Sequence, residues 1–156
     1  MAPPVLLRAL LGLLVAVTVA ACGASAPTGA LVEPTLQLET EPGVGPVLAG
    51  PDGSPLYLFT SDARRGVTCR RACARTWVPF DLPDGASAQG GPGVGAALLG
   101  TTASPGGGRQ VTYNRWPLYT YLGDRTTFSV NGEGAVSYGG VWWAVGANGA
   151  PAHPRP

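Results

Sequence analysis

An internal duplication is the feature of this sequence that most restricts its fold. Residues 55–62 have the sequence PLYLFTSD, and residues 117–124 have the sequence PLYTYLGD. Four of the eight positions are identical, and Phe59 is matched by another aromatic residue, Tyr121. Tryptophans follow both copies, so the repeated unit spans most of the domain. Because a repeat indicates a structure assembled from similar units, we predict two similar halves.

Both copies of the repeat have the pattern of a β-strand. Side chains alternate between the two faces of a strand, which places Tyr57 and Phe59 on one face. Tyr119 and Tyr121 repeat this arrangement in the second copy. Turn signals precede both copies, and no window of the sequence shows a sustained helical period. We therefore predict an all-β fold over residues 44–150, namely a small antiparallel domain built from two similar halves.

The segments on either side of that domain have a different composition. Residues 22–43 contain mostly small and polar side chains. Such a segment cannot bury enough apolar surface to offset the entropy lost on ordering, so we predict a flexible, disordered tether. Residues 151–156 are predicted to form a disordered tail, in which His153, the single histidine of the chain, is solvated.

The N-terminus has the pattern of a bacterial lipoprotein signal. Arg8 precedes an apolar stretch that ends in the run VAAC, whose last residue is Cys22. The stretch is shorter than the roughly 20 apolar residues of a membrane-spanning helix, and small residues at its end favour cleavage. We predict that residues 1–21 are a signal peptide and that Cys22 carries acyl chains such as palmitate. The predicted location is the extracytoplasmic face of the cell membrane, with the membrane itself as a partner through the N-terminal lipid.

Cys69 and Cys73 are the two cysteines that remain once Cys22 is assigned to lipidation. Thiols oxidise in an extracytoplasmic compartment, so this pair is predicted to form a local disulfide. A redox-active pair and a metal site are the alternatives, but structural metal sites usually need four ligands. We predict neither a metal nor a cofactor.

The charge of the mature chain limits its partners. The sequence has no lysine, and loss of Arg8 with the signal leaves nine arginines against nine acidic residues. A near-neutral chain does not favour nucleic acid as a partner. Five of the arginines fall within residues 64–75. They form either a solvated loop or a surface that attracts anionic headgroups or wall polymers.

Asp62 and Asp124, the last residues of the two copies, admit two interpretations. Paired carboxylates can act as acid and base when their surroundings separate their pKa values, and with Asn131 and Glu133 they can offer oxygen ligands to calcium. Alternatively, each aspartate caps the turn after its strand by accepting backbone N–H hydrogen bonds. The duplication favours capping, because two structural units keep the same residue whereas an acid and a base need not be alike.

The large aromatic residues also admit two interpretations. They form either the core of the domain, which is favoured for a domain this small, or a platform for glycan rings or another flat ligand. Adjacent residues of a strand point to opposite faces, so the two neighbouring tryptophans are expected to lie on different faces. The residues concerned are Tyr57, Trp77, Tyr119, Trp142 and Trp143.

Sequence motifs for catalysis give little support to an enzyme. The chain has no Gly-x-Ser-x-Gly elbow, no phosphate-binding loop with a following lysine and no Cys-x-x-Cys-His haem attachment site. Its single histidine lies in the predicted tail, where it is poorly placed for a catalytic triad. We therefore favour a protein that is not an enzyme.

The repeated residues resemble a bacterial family of secreted repeats and lipoproteins that carry a Tyr-x-(Phe/Trp/Tyr)-x-x-Asp motif and whose function is not established. The resemblance covers roughly residues 47–147 and supports fold and location more than function. Two segments depart from the usual pattern: residues 125–128 replace a Pro-Gly-Asp turn, and residues 131–134 replace an Asn-Gly-Gln-Gly run. The motif is matched at Tyr57, Phe59 and Asp62, and again at Tyr119, Tyr121 and Asp124.

Together these features predict a lipid-anchored extracytoplasmic lipoprotein that serves as a non-catalytic binding or interaction module of the cell envelope. Its partner would be an envelope protein or a wall polymer. The alternative is an extracellular enzyme, a metal-binding protein or a redox and electron-transfer accessory protein. That alternative would use Asp62 and Asp124, or the pair Cys69 and Cys73.

Overall fold

The computed structural model describes residue 1 and residues 35–63, 66–127 and 129–152. Contacts divide the chain into two units, Met1–Leu31 and Val32–Pro156. The predicted signal peptide, Cys22 and His153 lie outside the described residues, so the assignments made for them stay predictions.

The described part of the second unit is made of short strands, one short α-helix and two 3-10 helices, Thr60–Ala63 and Ala96–Leu98. Every pair of strands is antiparallel, and an isolated bridge between Leu36 and Gly90 is parallel. The prediction of an all-β antiparallel fold is therefore confirmed. The elements are β1 (Gln37–Glu41), β2 (Gly45–Ala49), β3 (Tyr57–Phe59), α1 (Ala72–Thr76), β4 (Trp77–Pro79), β5 (Asp81–Leu82), β6 (Leu99–Ala103), β7 (Arg109–Tyr113), β8 (Trp116–Pro117), β9 (Tyr119–Tyr121), β10 (Val136–Ser137) and β11 (Gly140–Ala144).

The described strands form three sheets. The largest has the order β10-β11-β3-β9-β4 and contains both copies of the repeated motif. Strands β1 and β2 form a two-stranded sheet, and β5, β7 and β6 form another in which β8 also pairs with β7. No helix among the described residues is long and apolar enough to span a membrane.

The two halves of the domain exchange strands in the largest sheet. Motif strands β3 and β9 meet at its centre, where Tyr57 pairs with Tyr119. On its other side, β3 pairs with β11 of the second half, which brings Phe59 opposite Trp142. Strand β9 pairs in the same way with β4 of the first half. Each motif strand therefore lies beside the tryptophan strand of the other half, and neither half completes this sheet alone.

The core is divided into an aliphatic and an aromatic cluster. Leu56 and Leu58 join the aliphatic cluster, whereas Tyr57 and Phe59, which alternate with them along the chain, join the aromatic cluster. This distribution follows from the alternation of side chains along a strand, with apolar groups buried on both faces. The repeated motif therefore joins the two clusters.

Ordered structure extends beyond both predicted boundaries of the domain. Strand β1 lies within residues 22–43, which composition had assigned to the tether, and it pairs along its whole length with β2. Leu36, just before β1, is fully buried in the aliphatic cluster, so this segment buries more apolar surface than its composition indicated. At the other end, Pro151 bridges Val145, so the first residue of the predicted tail also takes part in the fold. The boundaries at 44 and 150 are corrected accordingly.

Candidate functional site

The tyrosine of each repeated motif donates a hydrogen bond to the aspartate of the other motif. The Tyr57 hydroxyl lies 2.7 Å from Oδ2 of Asp124, and the Tyr119 hydroxyl lies 2.7 Å from Oδ2 of Asp62. Both tyrosine side chains are fully buried. These two reciprocal Tyr–Asp pairs link the halves through their side chains, as the exchanged strands link them through the backbone.

Asp62 also holds the loop that follows the first motif. Its Oδ1 atom accepts hydrogen bonds from the backbone N–H of Thr68, at 2.8 Å, and from the Thr68 hydroxyl, at 2.6 Å. The side chain is only 4% exposed. A carboxylate that accepts several hydrogen bonds holds a loop firmly, because hydrogen bonds to a charged acceptor are stronger than those between neutral groups.

Asp124 has the equivalent role in the second half. Its Oδ1 atom accepts a hydrogen bond from the backbone N–H of Asn131 at 2.8 Å, and the Asn131 side chain donates to the carbonyl of Gly123 at 3.1 Å. Gly132 packs so closely that a Cβ atom placed there would lie 2.7 Å from the Trp77 ring. In both halves the contacts of the aspartate are those of the turn-capping interpretation.

Burial and the paired carboxylates keep both phenols protonated. Loss of solvation, reinforced by the hydrogen bond to Asp124, raises the pKa of Tyr57 well above its usual value. Burial and the bond to Asp62 raise the pKa of Tyr119 in the same way, while nearby Arg70 opposes the shift. Burial also raises the pKa of Asp124, against the lowering effect of its hydrogen bonds from Tyr57 and Asn131. In each pair the proton therefore stays on the phenol.

Four aromatic rings form a stack in the order Phe59, Trp142, Trp77 and Tyr121. It includes two of the five residues predicted as core or platform, the buried Trp77 and Trp142. Successive ring centroids in this aromatic stack are 4.1, 3.9 and 4.2 Å apart. Tyr57 contacts Trp77 edge to face at 5.4 Å, and Tyr119 contacts Trp142 in the same way at 5.2 Å. The stack thus repeats the symmetry of the two halves, with the two tryptophans at its centre.

Trp143 differs from its neighbour Trp142 as the alternation of strand residues predicts. Trp142 is fully buried in the aromatic cluster. Trp143 is partly buried and packs against the aliphatic cluster instead. The two side chains therefore lie on opposite faces of β11.

A family model matches residues 40–81 and residues 100–146, and its description is Lipoprotein_15, a secreted repeat of unknown function. The two matches together cover more than half of the chain. The chain belongs to this family. The first secreted repeat runs from the end of β1 to β5, and the second runs from β6 to β11, so the two repeats correspond to the two halves of the fold. No curated protein and no solved structure matches the chain significantly.

The first secreted repeat carries an arginine-rich turn, which we define as residues 69–75. The sulfur atoms of Cys69 and Cys73 lie at disulfide-bonding distance, in agreement with the predicted bridge. Arg70, Arg71 and Arg75 are exposed on this turn, and within the described residues none of them forms an ion pair. Arg64 and Arg65 lie outside the described residues.

The predicted calcium ligands are occupied by contacts within the fold. Oxygen atoms of Asp62 and Asp124 accept the bonds already described, and Oε2 of Glu133 accepts a hydrogen bond from the backbone N–H of Ala144 at 2.8 Å. Across the part of the chain that the structure describes, no group of three or more acidic, histidine or cysteine side chains is arranged to hold a metal ion.

Glu41 is a buried carboxylate that the sequence analysis missed, because it had been placed in the tether. The side chain is 1% exposed, and neither of its oxygen atoms accepts a hydrogen bond from a described residue. Burial is the largest cause that raises its pKa, followed by repulsion from Glu39 and Asp124. The alternation of Leu36 and Leu38 with polar residues was the one signal for β1, and it is weak.

We expect Glu41→Gln to stabilise the domain at neutral pH. Because the pKa of Glu41 is raised above its ordinary value of 4.5 in the folded chain, the folded state binds the proton more tightly than the unfolded state. The free energy of unfolding then falls as the pH rises from about that value through the raised pKa. Melting temperatures at pH 7 and at about pH 3 measure the effect, and the gain should be present at pH 7 and vanish in acid.

The matched control for Glu41→Gln is Glu39→Gln on the same strand, where the side chain is only half-buried. This variant should give a smaller gain at pH 7, because its carboxylate keeps part of its hydration. An unchanged or lower melting temperature for Glu41→Gln at pH 7 would contradict the assignment of Glu41 as a destabilising buried charge.

Proposed function

We propose that this secreted repeat protein is a lipid-anchored domain on the extracytoplasmic face of the cell membrane, and that it binds a phosphate-bearing anion of the envelope without catalysing a reaction. The observation that carries the proposal is the arginine-rich turn, whose three exposed guanidinium groups have no acidic partner among the described residues. Lipid headgroups and wall polymers both present such anions. Arginine suits them because its planar donor fork bonds two phosphate oxygens together.

The turn is held in place before any ligand arrives. Asp62 fixes Thr68 directly before it, and the Cys69–Cys73 pair closes it. The backbone N–H of Cys73 also donates to the carbonyl of Arg70 at 3.1 Å. A binding surface that is already ordered loses less conformational entropy on binding, which favours affinity.

The contacts of the repeated aspartates support a non-catalytic role. Both carboxylates accept hydrogen bonds from a buried phenol and from a backbone N–H, so each has a structural role in the fold. An acid and base pair would need its carboxyl groups directed at a substrate.

Anchoring rests on the run that ends at Cys22 and agrees with membership of a secreted family. More than one acyl chain on Cys22 would attach the protein stably, because two chains suffice for anchoring. The arginine-rich turn would add about 1 kcal/mol per arginine when it lies near an anionic surface.

The test uses the full chain with Cys22→Ala, which lacks the acylation site. In the bacterium, a high-salt wash should remove this variant from the membrane fraction but leave the wild type there, because salt screens the arginines and does not release a lipid anchor. The purified variant should sediment with phosphatidylglycerol vesicles or with a phosphate-bearing wall polymer, but not with phosphatidylcholine vesicles. Comparing these two anionic arms of the experiment shows whether the ligand is a lipid headgroup or a wall polymer. Adding Arg71→Gln and Arg75→Gln should weaken binding roughly 30-fold, since two arginines contribute about 2 kcal/mol.

The matched control adds Arg115→Gln and Arg125→Gln instead. Both residues are exposed, the change in net charge is the same, and each pair contains one arginine with a left-handed backbone, Arg71 or Arg115. Equal losses of binding affinity from the two pairs of substitutions would indicate general electrostatic attraction and not binding at the arginine-rich turn. Retention of Cys22→Ala in the salt-washed membrane fraction would refute the anchoring half of the proposal. Absence of binding in both anionic arms would refute the binding half.

A further inference from the structure

The aromatic stack has a geometry that anion binding does not require. Its rings form an unbroken series of contacts, and two buried phenols bonded to carboxylates lie against its central tryptophans. We propose that the aromatic stack is a relay for one-electron oxidation, in which an electron vacancy created on Tyr121 moves inward to Tyr57 or Tyr119. This inference goes beyond the binding function and does not depend on it.

The geometry of the stack suits the movement of a positive charge. The rings of Trp77 and Trp142 are parallel to within 1°, with centroids 3.9 Å apart, and the Tyr121 ring lies 4.2 Å from that of Trp77. The face of an aromatic ring attracts positive charge, so a ring that has lost an electron is stabilised by the neighbour on which it is stacked. Each step along the stack is therefore a transfer between rings in contact.

The stack has one end that an oxidant can reach. Tyr121 is partly exposed and lines a cavity of about 180 Å³, and the acidic residues Asp52 and Asp124 also line it. Phe59, at the other end, is buried, and its ring has no hydroxyl group. A cationic one-electron oxidant is the class of partner that this cavity favours, because its carboxylates attract positive charge.

Trp142 does not trap the charge that passes through it. An oxidised indole becomes a neutral radical only when its N–H proton has an acceptor. The Nε1 atom of Trp142 is buried and has no hydrogen-bond partner in the part of the chain that the structure describes. The charge on this ring therefore stays mobile and passes to a residue that can release its proton.

The Tyr–Asp pairs are the residues where that proton can go. An oxidant removes one electron from Tyr121, and the vacancy moves to Trp77 and then to Tyr57, 5.4 Å away. As Tyr57 gives up an electron, its hydroxyl proton crosses the 2.7 Å hydrogen bond to the carboxylate of Asp124. The products are a neutral tyrosyl radical, a protonated Asp124 and the oxidant reduced by one electron. A one-electron donor reverses the step and returns the proton to the phenol.

The second half provides an equivalent branch. The Tyr119 ring lies 5.2 Å from that of Trp142, and its hydroxyl donates a 2.7 Å hydrogen bond to Asp62, along which its proton would move. The duplication therefore gives the relay two inner ends and one outer end, because only the second repeat has an oxidisable residue, Tyr121, at the position of Phe59.

The test applies photogenerated tris(bipyridine)ruthenium(III), a cationic one-electron oxidant, to the full chain and follows radicals by transient absorption and electron paramagnetic resonance. The wild type should form a long-lived neutral tyrosyl radical. Tyr121→Phe, which removes only a hydroxyl group, should lower its yield at least about tenfold. Tyr138→Phe is the matched control, because Tyr138 is an exposed tyrosine outside the stack, and this variant should retain the yield.

A second variant separates the inner ends from the stack. Tyr57→Phe combined with Tyr119→Phe keeps both rings but removes both buried proton donors, so the long-lived buried tyrosyl radical should be lost while a short-lived tryptophan radical cation remains. An unchanged tyrosyl yield in Tyr121→Phe, or a wild-type signal abolished by Tyr138→Phe, would overturn the relay. Near-ultraviolet circular dichroism of each variant checks that the stack is intact, and Tyr121→Phe decides the question if the double variant does not fold.

Discussion

Trp77→Ala should lower the free energy of unfolding by about 3–5 kcal/mol, the range found when large buried aromatic residues are truncated. The side chain is 1% exposed and stacks between Trp142 and Tyr121, and Tyr57 makes a T-shaped contact with it. Small domains are stable by about 5–15 kcal/mol in total, so this single change should bring the protein close to unfolding. Urea denaturation followed by circular dichroism measures the loss.

The control for Trp77→Ala is Trp143→Ala, which removes the same side chain from a partly buried position on the aliphatic cluster. It should cost clearly less, because part of that ring already contacts water. Losses of equal size would contradict the central place given to Trp77. A small loss of unfolding free energy for Trp77→Ala would favour the interpretation of the aromatic residues as a ligand platform.

The alternation of side chains allowed much of the fold to be predicted. Leu58 alternates with Tyr57 and Phe59, and the structure distributes these residues between the two core clusters as the period of a strand requires. The duplication was equally clear, and the family repeats confirm it. The alternation of side chains is a local property, and the duplication is found by comparing one segment with another. Both can therefore be recognised in the sequence alone.

The exchange between halves could not be predicted, because strand order is not a local property. Tyr57 and Asp62 belong to one motif, and nothing in their spacing shows that each bonds to the other copy. Antiparallel pairing of Tyr57 with Tyr119 places the two motifs side by side, and the reciprocal bonds follow from that contact. Strand β1 was missed for a different reason, since its stability comes from pairing with β2 and not from its own composition.

Asp62→Ala should destabilise the domain by about 3–5 kcal/mol, and Asp124→Ala by about half as much. Asp62 accepts three hydrogen bonds, and its loss leaves the Tyr119 hydroxyl buried without an acceptor. Each buried donor left unpaired costs about 1–3 kcal/mol. Asp124 accepts two such bonds in a less buried position, and burial raises its pKa, so removing its charge recovers part of the loss. Thermal and urea denaturation at neutral pH rank the two variants.

A double-mutant cycle determines how much of each loss belongs to the Tyr–Asp pair. Asp62→Ala, Tyr119→Phe and their combination should show a coupling of about 1–3 kcal/mol, as residues in direct contact do. The equivalent cycle on Asp124 and Tyr57 should give a smaller coupling. If both couplings were zero, the reciprocal bonds would not hold the halves together, and the exchanged strands alone would have to do so. A reversed order of the two aspartates would contradict the ranking predicted from their burial and hydrogen bonds. The expected larger coupling at Asp62 would show that the loop of the first repeat, which leads into the arginine-rich turn, is the more firmly held of the two.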